Sequence, residues 1–148
     1  MFRHILLPLD GSRLAATALP YAVALAHASG AHITLLAVVD PVPESVDWPS
    51  AAGQEADERH VTESKAYLQS IALPLRARGL TVTTLIRHGN PADTILATAQ
   101  TEGCSLIVMG THGRTGLDRM RMGSVAQHVL RHAIVPALVV PRSHDAAT

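Results

Sequence analysis

The feature that most constrains this chain is a repeated change of hydrophobic period. Short, almost wholly apolar runs alternate with longer segments whose apolar residues recur every three or four positions. The runs lie at residues 4–9, 33–39, 80–86, 106–109 and 137–140. They have strand length, and most lack polar alternation, as strands buried on both faces do. Between them, Leu14, Ala18, Tyr21 and Leu25 share one helical face. Val61, Leu68, Ile71, Ala72 and Leu75 share another, followed by Ala92, Ile95, Leu96 and Ala99, and by Ala126, Val129, Leu130 and Ala133. The order is therefore β-α-β-α-β-α-β-α-β. That alternation predicts an α/β fold, a three-layer open sandwich with a five-stranded parallel sheet, Rossmann-like, with right-handed crossovers.

Local signals punctuate these elements. Gly30 ends the first helix, read as residues 13–28. Residues 40–53 hold Pro41, Pro43, Pro49 and the single Trp48. They read as an irregular connection, of a length that is usually either functional or mobile. Pro74 should kink or end the helix read at 55–78. The run 80–86 is the most polar and β-branched, which places it toward a sheet edge. Asn90 is a good N-cap with Pro91 at the first helical position. Gly103 closes that helix. Pro141 ends the last strand, and residues 142–148 form a polar tail.

Composition narrows the function classes. A chain of 148 residues reads as one domain, 1–148, able to bury roughly 68–70% of its unfolded surface. Aromatics are only 3%, so Leu, Ile, Val and Ala must fill the core. Twelve basic and twelve acidic residues cancel. That speaks against a nucleic-acid partner bound through a general positive field, and against a polybasic membrane anchor. Nine histidines stand out, and scattered surface or half-buried positions are the plain reading. One cysteine, Cys104, excludes an internal disulfide and reads as a small buried filler. The apolar run after Met1 is too short for a signal peptide, and no run reaches membrane-spanning length, so a cytoplasmic location is expected.

In an open parallel sheet, ligands bind beyond the carboxyl ends of the strands, where the strand order reverses. Two segments at such ends are unusual. The first is Pro8-Leu9-Asp10-Gly11-Ser12. Asp10 there can accept hydrogen bonds from ribose hydroxyls, help hold a metal, or only shape the turn. The second is Gly110-Thr111-His112-Gly113, nine residues, then Gly123-Ser124. Glycines let backbone amides approach a phosphate, and a helix start offers unpaired N–H groups and the positive end of a dipole. Arg114, Arg119 and Arg121 add positive charge, and His112 either touches a phosphate or is solvated. Ser124 has a structural reading too, since Ser124-Val125-Ala126-Gln127 matches a capping box. The segment is neither a Walker P-loop nor a Gly-x-Gly-x-x-Gly fingerprint.

Gly110, Gly113, Gly123 and Ser124, with residues 5–12, 36–40 and 89–92, resemble the universal stress protein family, in its ATP-binding subgroup. The likeness covers residues 2–141. It implies the adenine nucleotide alpha hydrolase-like form of the Rossmann-like fold. It implies ATP with Mg2+ as ligands, bound by Pro8, Asp10, Val38, Met109, Gly110, Gly113, Gly123, Ser124 and Val125. Asp10 would lie by the ribose and Val38 against the adenine. Met109, Gly110 and Gly113 would frame ribose and phosphates, and Gly123, Ser124 and Val125 would hold the phosphates. Trp48 either covers the adenine or packs beside it. The resemblance also implies a homodimer paired through residues 137–140. No general base with a partner is visible, so a stress-response regulator with at most slow ATP hydrolysis is expected. An ATPase or phosphotransferase, or an interaction module with no obligatory nucleotide, are the alternatives, with a flavin protein more remote. Other adenine nucleotides, cyclic ones included, could use much of the same pocket.

Overall fold

A computed structural model describes residues 1–40, 51–111 and 122–142. Five strands form one parallel sheet: β1 (His4–Pro8), β2 (His32–Val39), β3 (Val82–His88), β4 (Leu106–Gly110) and β5 (Ala137–Val140). Their order is β3-β2-β1-β4-β5. The chain moves outward from β1 to β3, then crosses back to place β4 on the other side of β1. The reversal therefore lies between β1 and β4. The sheet class and strand count are those the alternation predicts.

Strands buried on both faces supply two cores. Ile5 and Leu7 of β1, Ile33 and Leu35 of β2, and Leu106 and Val108 of β4 pack on one side with Ala22, Leu68 and Ala72. Leu6, Leu36, Ile107 and Met109 pack on the other with Ile95, Ala99 and Val129. Adjacent residues of one strand thus enter opposite cores, as the two-residue strand period requires. Each fully buried leucine contributes roughly 1.5–3 kcal/mol.

The helices depart from expectation where prolines act. The first is two pieces, α1 (Arg13–Ala16) and α2 (Leu19–Ser29). Pro20 has no N–H and its ring would clash with the carbonyl four residues back, so it is accommodated in the first turn of α2. The third helix, α3 (Ala51–Ala77), begins inside the segment read as an irregular connection and passes through Pro74. Pro74 lies in its last turn, and Gly79 at φ +90° leads the chain away. The Leu80 amide then bonds the Leu75 carbonyl at 3.2 Å, closing the helix end, so β3 starts later than residue 80. As its polarity predicts, β3 is an edge strand, with β5 at the other edge. The last two helices are α4 (Pro91–Thr101) and α5 (Ser124–His132). Asn90 caps α4 by accepting the Asp93 amide at 3.1 Å, with Pro91 opening the helix. None of the helices among the described residues is long and apolar enough to cross a membrane.

Candidate functional site

The sheet's carboxyl edge opens into a cavity of about 230 Å3 at the reversal point. Eight of the nine residues expected at a site line it: Pro8, Asp10, Val38, Met109, Gly110, Gly123, Ser124 and Val125. The ninth, Gly113, lies outside the described residues, as do His112, Arg114, Arg119, Arg121 and Trp48.

At the end of β1, Asp10 shapes the turn. Its Oδ1 accepts the Ser12 amide at 2.9 Å across a turn in which Gly11 adopts φ +84°. The Ser12 hydroxyl then accepts the Ala15 amide at 3.0 Å, starting α1. The carboxylate that shapes the turn also lines the cavity. Tyr67 of α3 stands in its field. Its phenol is pushed above its ordinary value of 10.0, first by burial and then by the Asp10 carboxylate.

Another part of the wall is built at the start of α5. The Thr111 amide bonds the Val140 carbonyl at 3.0 Å, anchoring the end of β4 to β5. The Thr111 carbonyl accepts the Gly123 amide at 2.7 Å, which ties the residue before α5 to the end of β4. Gly123 is the N-cap residue, extended at φ −63° and ψ 157°, and no side chain caps the helix. The capping-box expectation therefore fails. Ser124 sits one position too far along, already inside the helix, and the Gln127 side chain donates to the Met122 carbonyl at 3.3 Å instead. The first helical bond runs from the Gln127 amide to the Gly123 carbonyl at 3.0 Å. Ser124, Val125 and Ala126 thus carry the amides that have no partner within the helix. The Gly123 amide is already engaged, so this glycine offers close approach rather than a donor.

Charge is unevenly placed. The charged residues among the described lining are two acids, Asp10 and Asp40, at the ends of the neighbouring strands β1 and β2. The α5 start, which also lines the cavity, presents amide donors and the positive pole of the helix. The lining thus suits a ligand that carries both hydrogen-bond donors, for the acids, and an anion, for the helix start. Leu36, Val38, Ile95 and Met109 line it as well, suited to a flat apolar body. The volume falls short of the usual 300–1,000 Å3 range for drug-sized ligands.

Sequence reasoning missed Asp40, Pro91 and Ile95, which also line the cavity. The signal for Asp40 was present. It follows β2 directly, as Asp10 closely follows β1, and the two strands are neighbours. The α4 residues had none, since only tertiary packing brings that helix beside α5. Cys104 is buried, its thiol pushed up to about 11 by burial and by Glu102. It is the inert filler its position suggests. No group of three metal-ligating side chains occurs among the described residues.

Comparison with known proteins agrees with the fold. The sequence model described as the Universal stress protein family matches residues 1–141. Universal stress protein MJ0531 of Methanocaldococcus jannaschii is 33% identical, over 96% of this chain and 84% of its own length. The solved structure of MJ0577, from the same organism, superposes with a TM-score of 0.87 at 30% identity, covering 97% of this chain and 99% of its own. A universal stress protein solved in complex with cAMP shares the fold, with a TM-score of 0.73 at 23% identity, covering 96% and 99%.

Proposed function

The chain belongs to the universal stress protein family, and from that premise we propose that it is a nucleotide-dependent regulatory protein whose cavity binds ATP with Mg2+. Val38 and the apolar walls take the adenine. Asp10 accepts from the ribose hydroxyls. The phosphates lie against the amides of Ser124, Val125 and Ala126, with Gly110, Gly113 and Gly123 allowing the backbone to come close. Mg2+ fits as a companion of the phosphates, since the cavity's carboxylates lie at the base and sugar end. It would neutralise phosphate charge and needs few protein ligands. The protein acts as a single domain in the cytoplasm, as a homodimer paired through β5, whose Leu138 is exposed.

The observation that carries this reading is that Asp10, the start of α5 and the apolar residues Leu36, Val38, Ile95 and Met109 line one cavity. In this reading occupancy rather than turnover is the working signal, and any hydrolysis is slow beside the ordinary enzyme value of about 10 per second. The test is thermal unfolding with and without magnesium-ATP, for wild type and Gly123→Val. Ligand at 100 times its Kd adds roughly 2.7 kcal/mol. A rise in Tm that the folded variant lacks supports the reading. No rise at millimolar ATP removes it, and a rise with cAMP alone assigns the cavity to a cyclic nucleotide.

A further inference from the structure

The opposite end of the sheet holds a second polar cluster, which the nucleotide reading does not use. His4 opens β1 and His32 opens β2, paired in register. Their rings stack with centroids 4.5 Å apart and planes 2° from parallel. His4 Nδ1 lies 3.1 Å from the Glu102 carbonyl and its Nε2 lies 2.6 Å from the Thr34 hydroxyl. His32 Nε2 lies 2.6 Å from the Thr83 hydroxyl on β3. The cluster therefore ties three strands to the end of α4.

These contacts fix the protons. A carbonyl only accepts, so His4 Nδ1 carries hydrogen, and in the neutral ring Nε2 accepts the Thr34 hydroxyl proton. A further proton on His4 would make Nε2 a donor and force Thr34 to redirect its own. Thr34 is only 1% exposed, so water is not at hand to receive it. Protonating both rings would also stack two cations face to face. The charged neighbours offer little relief. Glu102 on the α4 side is already engaged by Arg87 of β3 at 3.2 Å, Arg3 precedes His4 in the chain, and the buried Cys104 thiol stays neutral.

We propose that the His4–His32 stack is an acid-sensitive clasp, which holds β1, β2, β3 and the end of α4 together while His32 is neutral and loosens when His32 gains a proton. Burial, and then His4, hold His32 below its ordinary value of 6.5, against the pull of Glu102. A depressed histidine contributes stability that is present above the unfolded-state value and is lost as pH falls through the folded-state value. Acidification through and below pH 6.5 is therefore the window in which the clasp opens. This inference stands whether or not the cavity takes a nucleotide.

The test is an NMR titration of the histidine rings in the full chain, with thermal unfolding at about pH 7.5 and about pH 5.5, either side of the ordinary histidine value. Wild type, His32→Gln and His4→Gln are compared. In wild type, His32 titrates below 6.5. In His4→Gln its midpoint rises part of the way back. The fall in Tm on acidification is smaller in His32→Gln than in wild type. A His32 midpoint at or above the ordinary value overturns the proposal, as does an undiminished fall in Tm in a folded His32→Gln. The wild-type titration decides the matter even where neither variant folds.

Discussion

Asp10 serves the turn after β1 and, in the proposed function, the ribose, and two substitutions separate these uses. Asp10→Asn keeps an oxygen to accept the Ser12 amide at 2.9 Å but removes the charge. Asp10→Ala removes both. Hydrogen bonds to a charged group contribute about 1.5–3 kcal/mol net, roughly twice those between neutral partners. Alanine should therefore weaken ATP by about 2–3 kcal/mol, or ~30- to 150-fold in Kd. Asparagine should cost about 1 kcal/mol, or ~5-fold. Alanine also forfeits the turn bond, which has a charged acceptor and is worth about 1.5–3 kcal/mol, and so lowers Tm by about 3–12 °C, whereas asparagine, which keeps a neutral acceptor, loses about half as much. Isothermal titration calorimetry with ATP and 2′-deoxy-ATP reads the binding, and a thermal scan reads the fold. Wild type should prefer ATP to its deoxy analogue, and Asp10→Ala should lose that preference. A folded Asp10→Ala that binds ATP with wild-type affinity would refute the reasoning.

Ser124→Pro should leave the Tm nearly unchanged, because the first helical position tolerates proline, yet it deletes a hydroxyl and an amide at the phosphate end. ATP binding measured on the same sample should fall by about 1–3 kcal/mol, or ~5- to 150-fold. Leu35→Ala, at a side chain with 0% exposure in the sheet's interior, should cost about 2–5 kcal/mol in urea unfolding. Native Cys104, with its thiol held up to about 11, should resist a thiol reagent near pH 8 and react fully only on unfolding. Because that value is raised, its contribution to stability is present below the unfolded-state value and is lost as pH climbs toward 11.

The architecture was legible because the strands are buried on both faces and read as apolar runs, while the helices keep a single stripe. Polarity also marked β3 as an edge. What the pattern could not show was how prolines partition a helix. Pro20 lies within an unbroken apolar periodicity, and only the missing N–H reveals that the helix must restart there. At the site, glycines and a helix start pointed to the α5 wall. The use of each amide could not be read. The Gly123 amide is engaged by the Thr111 carbonyl and Ser124 is displaced from the capping position, neither of which a local motif reveals. Pro91 and Ile95 enter the cavity through the packing of α4 beside α5, a contact with no local signature. The histidine stack is similarly hidden, since His4 and His32 meet only through strand register.

The central claim is that ATP lies with its base and sugar toward β1 and β2 and its phosphates at the start of α5. The most direct measurement follows the backbone amide resonances while magnesium-ATP is titrated into the protein. The account predicts that Ser124, Val125 and Ala126 shift most strongly, with Asp10 and Val38 moving at the same ligand concentration, while the amides around His4 and His32 stay in place. Saturable shifts that leave Ser124 to Ala126 unmoved would contradict it.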